Sequence, residues 1–199
     1  MIPVGKIKIV VFAVSLIPFG WLLWTLFLGN PGANPAEMSN RFLGDWALRF
    51  LLITLAVTPL RKLTNRAEIV QFRRMLGLFA FFYAAMHVTS YVVLDQFFDW
   101  TAIWKDIVKR TFITVGMACL LILLALAVTS TRGWIKRLKY ARWKKLHRLV
   151  YAAGILAVIH YYMMIKAGFA EPLTYGAILA VLLILRIDTT RLSQRFRVA

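Results

Sequence analysis

The spacing of its apolar runs constrains this chain more than any other feature. Six segments, residues 9–28, 46–60, 75–94, 111–129, 149–165 and 173–185, are almost free of charge. A membrane-crossing helix needs about 20 mainly apolar residues, and fewer where flanking side chains snorkel. The second and sixth runs are short by that standard, but all six read as spans. The first follows Lys6 and Lys8 and so resembles a secretion signal. It outruns the roughly 7–15 residues of a signal core, and no small-x-small cleavage site follows, so a retained helix is expected, kinked at Pro18. Asn30-Pro31-Gly32, Asn34-Pro35 and Glu171-Pro172 punctuate short connections. With no alternating strand pattern, repeat or linker, the expected fold is all-α: one six-helix transmembrane bundle over residues 1–199.

Charge orients that bundle. The chain carries 25 Lys and Arg against 8 Asp and Glu, a net charge of +17. In a soluble protein this would suggest a nucleic-acid partner, but 61% hydrophobic composition points to the bilayer instead. Residues 1–8, 61–74, 130–148 and 186–199 hold 19 of the bases and only Glu68 and Asp188 of the acids. The connections 29–45, 95–110 and 166–172, with the spans, balance six bases against six acids. The positive-inside rule therefore puts both termini in the cytoplasm, with the inner face toward anionic lipid and the neutral loops outside. Trp21, Trp24, Trp46, Trp100, Trp104, Trp134 and Trp143 mostly fall near predicted interfaces, as belt residues do.

One cysteine, Cys119, lies inside an apolar run. That excludes an intrachain disulfide, a thiolate zinc site and a cysteine-ligated iron–sulfur cluster. At this length a membrane bundle leaves no room for a soluble catalytic domain, so cofactors and partners are expected to supply the chemistry.

The three histidines are the functional candidates, because an ionisable group inside a membrane is expensive to keep without a role. His87 lies 12 residues past Met75 and His160 lies 11 past Leu149. At 1.5 Å per residue both sit about 17–18 Å above the inner boundary, on helices running the same way. Two depth-matched imidazoles can clamp one metal axially, as in a haem, although imidazole also suits copper and zinc. The plainer alternative is that each histidine hydrogen-bonds a neighbouring helix.

His147, 13 residues before His160, is expected at the inner end of the fifth span, roughly 140° off the His160 face on an ideal helix. It serves the same interior only if the helix adjusts, near Gly154 for example, or if its place at the helix end frees its direction. The position 13 before His87 is Arg74, so an inner haem lacks the symmetric second ligand. Arg73 and Arg74 open the third span beside the basic loop and could hold haem propionates or a flavin phosphate, or mark topology near head groups. Arg49, one turn after Asp45, could serve an outer propionate or pair with that Asp.

These residues sit in a set of ordered motifs: Trp46-Ala47-Leu48-Arg49-Phe50 continuing to Thr58-Pro59-Leu60-Arg61; Arg73-Arg74-Met75-Leu76-Gly77-Leu78 running to His87; Lys109-Arg110 with Ile113-Thr114-Val115-Gly116; Leu126-Ala127-Val128-Thr129-Ser130; Leu146-His147-Arg148-Leu149-Val150-Tyr151; and His160-Tyr161 with Lys166. Over essentially its full length the chain resembles the MsrQ family, formerly YedZ, the haem-binding membrane subunits of the periplasmic methionine sulfoxide reductase system. The wider group is the ferric-reductase-like transmembrane domain shared with NADPH oxidases and metalloreductases. The resemblance implies haem b, one or two per chain, with His87, His147 and His160 at the family's His positions, and a flavin, FMN. It also implies electron delivery to a periplasmic molybdenum-containing subunit, MsrP. Thr111 and Ala125 depart from expected prolines, and Met163 from an expected tryptophan.

The expected function is therefore an electron-transfer subunit of an oxidoreductase, fed by a quinol or a cytosolic flavin reductase. The competing class is a small transporter or proton relay working through its intramembrane histidines. Such proteins often show inverted repeats and broken polar spans, neither of which is visible in this sequence.

Overall fold

The computed structural model describes residues 4–186, and among them every regular element is helical. The order is α1 (Val4–Phe27), α2 (Pro35–Thr64), a 3-10 segment (Ala67–Phe72), α3 (Arg73–Ser90), a π segment (Tyr91–Asp95), α4 (Trp100–Lys109), α5 (Thr111–Val128), α6 (Arg132–Leu146), α7 (Leu149–Met164) and α8 (Ala170–Ile184). Each of the six apolar runs falls in a helix. Four helical stretches, Gly5–Phe27, Pro35–Thr64, Ala67–Asp95 and Thr111–Val128, are long and apolar enough to cross a membrane, while α7 and α8 are shorter apolar helices. Residues 187–199, which carry part of the expected inner-side charge, lie outside the described residues, as do residues 1–3.

Three connections are more structured than their charge suggested. The 29–45 connection is mostly helix: Asn34 caps α2 by accepting from the Glu37 amide at 3.1 Å, and its own side-chain amide returns a bond to the Glu37 carboxylate at 3.2 Å. Pro35 occupies the first helical position, where its missing N–H costs nothing. Connection 95–110 folds largely as α4, and 130–148 as α6, two helical pieces broken at Lys139, whose φ is 58°. Glu171-Pro172 belongs to the first turn of α8, where a proline is tolerated.

Side chains from elsewhere in the bundle enter the helix ladder beside both interior prolines. Pro18 sits within a continuous α1. Beside it the buried Tyr83 hydroxyl enters the ladder, donating to the Ser15 carbonyl at 2.7 Å and accepting from the Phe19 amide at 3.2 Å. Pro59 in α2 cannot bond the Leu55 carbonyl four residues back, and the Arg186 guanidinium donates to that carbonyl instead.

Helices α2 and α3 form one closely packed pair and α5 and α7 another, with α3 against α5 and α2 against α7. These four make a ring in which α3 and α7 stand on a diagonal. Helix α1 packs outside α2 and α3, and α8 lies against α7 and α2. The core between α2 and α3 is aromatic, with Phe50 stacked on Phe79 at 5.5 Å and on Tyr83 at 5.2 Å. Trp46 packs into this core against Phe50 and Tyr83, so it is not a belt residue. Cys119 is a free, buried thiol whose Sγ donates to the Ala153 carbonyl, tying α5 to α7. The outward residues are apolar, with Ile9, Phe12, Trp24, Leu121 and Val181 among those exposed. Such continuous apolar exposure suits lipid rather than water as the surrounding solvent.

Candidate functional site

The diagonal helices of the ring carry the paired histidines, in the last turn of α3 for His87 and one turn from the end of α7 for His160. Their ring centroids are 6.2 Å apart with planes at 80°. The depth match expected from residue spacing is thus a spatial pairing. Among the described residues no third His, Cys, Asp or Glu joins them in a cluster that could hold a metal ion.

Each ring is held by the same device. His87 Nδ1 lies 2.9 Å from the Asn40 carbonyl on α2, and His160 Nδ1 lies 2.6 Å from the Phe112 carbonyl on α5. A carbonyl only accepts, so each Nδ1 carries the proton and each Nε2 keeps its lone pair. Four residues beyond each carbonyl stands a glycine against which the ring rests. A Cβ at Gly44 would lie 3.2 Å from His87 Nδ1, and one at Gly116 would lie 2.9 Å from Nδ1 and Cε1 of His160. Side chains larger than hydrogen would push the imidazoles off their carbonyls. Two parallel cradles, one on the neighbour of each His-bearing helix, therefore pre-set tautomer and orientation.

His147 is held differently. It is not the opening of the α7 helix but the C-cap of α6, in the two-residue break before Leu149. The ideal-helix offset from His160 does not apply across that break, and the helix-end alternative is the one realised. Thr129 Oγ1 donates to the Ala125 carbonyl at 2.6 Å, so at its 3.2 Å contact with His147 Nε2 it accepts. In His147 the proton is on Nε2 and the lone pair on Nδ1, the reverse of the other two. The ring stacks 4.2 Å from Trp143, whose indole N–H bonds the Thr129 carbonyl. Burial first, and then the Arg73 guanidinium, hold this imidazole below its ordinary pKa.

The arginines divide between the two ends. Arg73 and Arg74 open α3, both exposed, at the His147 end and away from the His87–His160 pair. Arg49 lies on α2 five residues after Gly44. Its Nε donates to the Tyr175 hydroxyl at 2.9 Å, its guanidinium stands 5.1 Å over Trp46, and Asp45 is at the 4.0 Å limit of an ion pair. Its main side-chain partner is thus Tyr175 rather than Asp45. Gly44, Asn40, Thr129 and Trp143 shape the site without ligand chemistry of their own, which is why sequence alone does not single them out.

The family model described as Ferric reductase like transmembrane component matches residues 43–158. The chain is 54% identical over 180 residues to the protein-methionine-sulfoxide reductase heme-binding subunit MsrQ of Rhodospirillum rubrum, covering 90% of this chain and 86% of that one. It is 47% identical over 177 residues to the protein of the same name from Caulobacter vibrioides, covering 89% and 84%. Against its namesake in Xanthomonas campestris pv. campestris the identity is 49% over 195 residues, covering 94% and 88%. The matched region takes in Gly44, His87, Phe112, Gly116 and His147 but stops short of Asn40 and His160; these relatives are aligned over 89–94% of the chain. This multi-pass membrane chain belongs to the MsrQ heme-binding subunit family, a ferric-reductase-like transmembrane family.

Proposed function

We propose that the chain is a haem b electron-transfer subunit of the bacterial inner membrane, a single six-span domain with both termini cytoplasmic. It carries electrons outward to a periplasmic molybdenum-containing MsrP that reduces methionine sulfoxide in damaged proteins. The observation that carries this reading is the His87–His160 pair, presented from diagonal helices with both Nε2 lone pairs free. The spacing fits the group. Two metal–imidazole bonds of about 2 Å each, with roughly 1 Å on each side from nitrogen to ring centre, separate the centroids by about 6 Å. The measured 6.2 Å matches that span.

A haem bound there would supply a one-electron Fe(III)/Fe(II) couple tuned by the residues that hold it and their surroundings. His87 and His160 would hold it, and the Asn40 and Phe112 carbonyls keep their rings basic and oriented through the Nδ1–H bonds. Arg49, held by Tyr175, offers a guanidinium at the outer end for a propionate. Arg73 and Arg74 offer exposed charges at the inner end for a propionate or the phosphate of FMN. His147, set among Thr129, Trp143 and Arg73, marks a second carrier site there, for a flavin or a second haem, fed by a quinol or a cytosolic flavin reductase.

The test is haem content per chain in purified parent, His87→Ala, His160→Ala and His147→Ala proteins. Loss of one equivalent in both of the first two variants is expected. A His87→Ala protein with full haem and an unchanged bis-imidazole spectrum would sink the assignment. For His147→Ala, loss of a further equivalent identifies an inner haem, and full retention assigns that site to flavin or quinol.

A further inference from the structure

The connection between α3 and α5 presents an apolar surface that none of the other described residues covers. After the π segment the chain turns through Phe97 and Phe98, both left-handed at φ 46° and 63°. Bulky residues rarely adopt that conformation, and holding it costs strain. Its result is that two phenyl rings stand outward, 79% and 55% exposed, with the Phe98 ring 6.4 Å from that of Trp100. Helix α4 continues the surface. At 100° per residue its side chains fall on four stripes, one of them Ala102 and Asp106. Ile103, buried, and Ile107, partly buried, face the bundle. Trp100, Trp104 and Val108 line a second face and are 66%, 69% and 67% exposed. Thr101, Lys105 and Lys109 make the third, and all are exposed.

This orientation is fixed. Asp99 caps α4 by accepting from the Ala102 amide at 2.9 Å. Asp106 accepts from the Tyr91 hydroxyl at 2.9 Å and pairs with Arg110 Nε at 3.0 Å. Thr114 of α5 donates to the Ile107 carbonyl at 2.6 Å. An apolar face clamped outward at the point where one span ends and the next begins meets the head-group boundary first.

We infer that α4, with Phe97 and Phe98, is an interfacial helix that docks on lipid, seating its aromatic face at the head-group and acyl boundary of the leaflet where α3 ends and α5 begins. Tryptophan and phenylalanine on one face with lysines on the next is the composition that lies in an interface plane. Lys105 and Lys109, on the face pointing away from the bundle, reach toward phosphates and water. The helix also anchors the cradle: Arg110 alone separates it from α5, whose Phe112 carbonyl receives His160 Nδ1. That link rests on the reading of His160 as a ligand, whereas the docking on lipid does not.

The test places a nitroxide on single cysteines, Trp104→Cys, Val108→Cys, Lys105→Cys or Lys109→Cys, in a Cys119→Ala background of the full chain. The proteins are held in vesicles of phosphatidylethanolamine and phosphatidylglycerol. Labels at 104 and 108 are expected to be relaxed severalfold more by oxygen than by an aqueous nickel chelate, and labels at 105 and 109 the reverse. Preferential relaxation by nickel at all four positions would overturn the proposal. So would shielding of 104 and 108 from both reagents, which would mean contact with another protein or a second copy. Parent and Trp104→Phe proteins in vesicles with brominated acyl chains give a second measurement. The emission that distinguishes them is expected to be quenched, and its persistence would contradict lipid contact. Haem content of the same samples reports separately on His160.

Discussion

At the scale of single residues, the site depends on two hydrogen atoms. Gly44 and Gly116 matter because a methyl group at either would occupy the space in which an imidazole lies flat against its neighbour. The crowding is unequal, 3.2 Å at Gly44 against 2.9 Å at Gly116, which predicts unequal effects. Gly116→Ala is expected to displace His160 from the Phe112 carbonyl and lose most of the haem, at an overpacking cost of about 1–3 kcal/mol. Gly44→Ala is expected to retain haem with a shifted spectrum, because a movement of a few tenths of an ångström relieves its contact. Haem-to-protein ratio on purified variants checks both, and equal retention would contradict the cradle. The histidines were legible in the sequence because ionisable groups stand out in apolar runs. The glycines were not, because what they provide is space against a ring on another helix, and only tertiary placement shows it.

At the scale of elements, apolar runs locate the apolar helices and miss what lies between them. Helix α2 starts at Pro35 rather than near residue 46 because Asn34, Pro35 and Glu37 make a start signal outside the hydrophobic run. The charge of α4 and α6 outweighs their period and hides them among the connections. Spacing alone puts His147 on the helix of His160, whereas the chain breaks at 147–148 and α7 begins at Leu149. Beside Pro18, Tyr83 bridges the α1 ladder between the Phe19 amide and the Ser15 carbonyl. Tyr83→Phe should leave the buried Ser15 carbonyl without that donor at a cost of about 1–3 kcal/mol, loosening α1 from α3. A lower thermal midpoint in detergent, with haem content retained at low temperature, is the expected result, and an unchanged midpoint would show that the bridge contributes little.

At the scale of the whole molecule, the two ends of the bundle differ in charge and in chemistry. The exposed Arg73 and Arg74 and the His147 cluster share the basic end, while the paired histidines lie toward the end where the connections are neutral. The bias of 19 bases against two acids predicts that the basic end is cytoplasmic. In a Cys119→Ala background, Lys105→Cys should react with an impermeant maleimide in spheroplasts and Lys136→Cys only after lysis. The opposite pattern would invert the bundle and with it the direction of electron flow.

The central claim is that His87 and His160 clamp one iron from diagonal helices, with ring planes close to perpendicular. Low-temperature electron paramagnetic resonance of the oxidised protein, beside His87→Ala and His160→Ala, tests it most directly. The prediction is a low-spin ferric signal of the strongly anisotropic kind that perpendicular axial imidazoles produce, absent from both variants. Persistence of that signal at full intensity in either variant would contradict it.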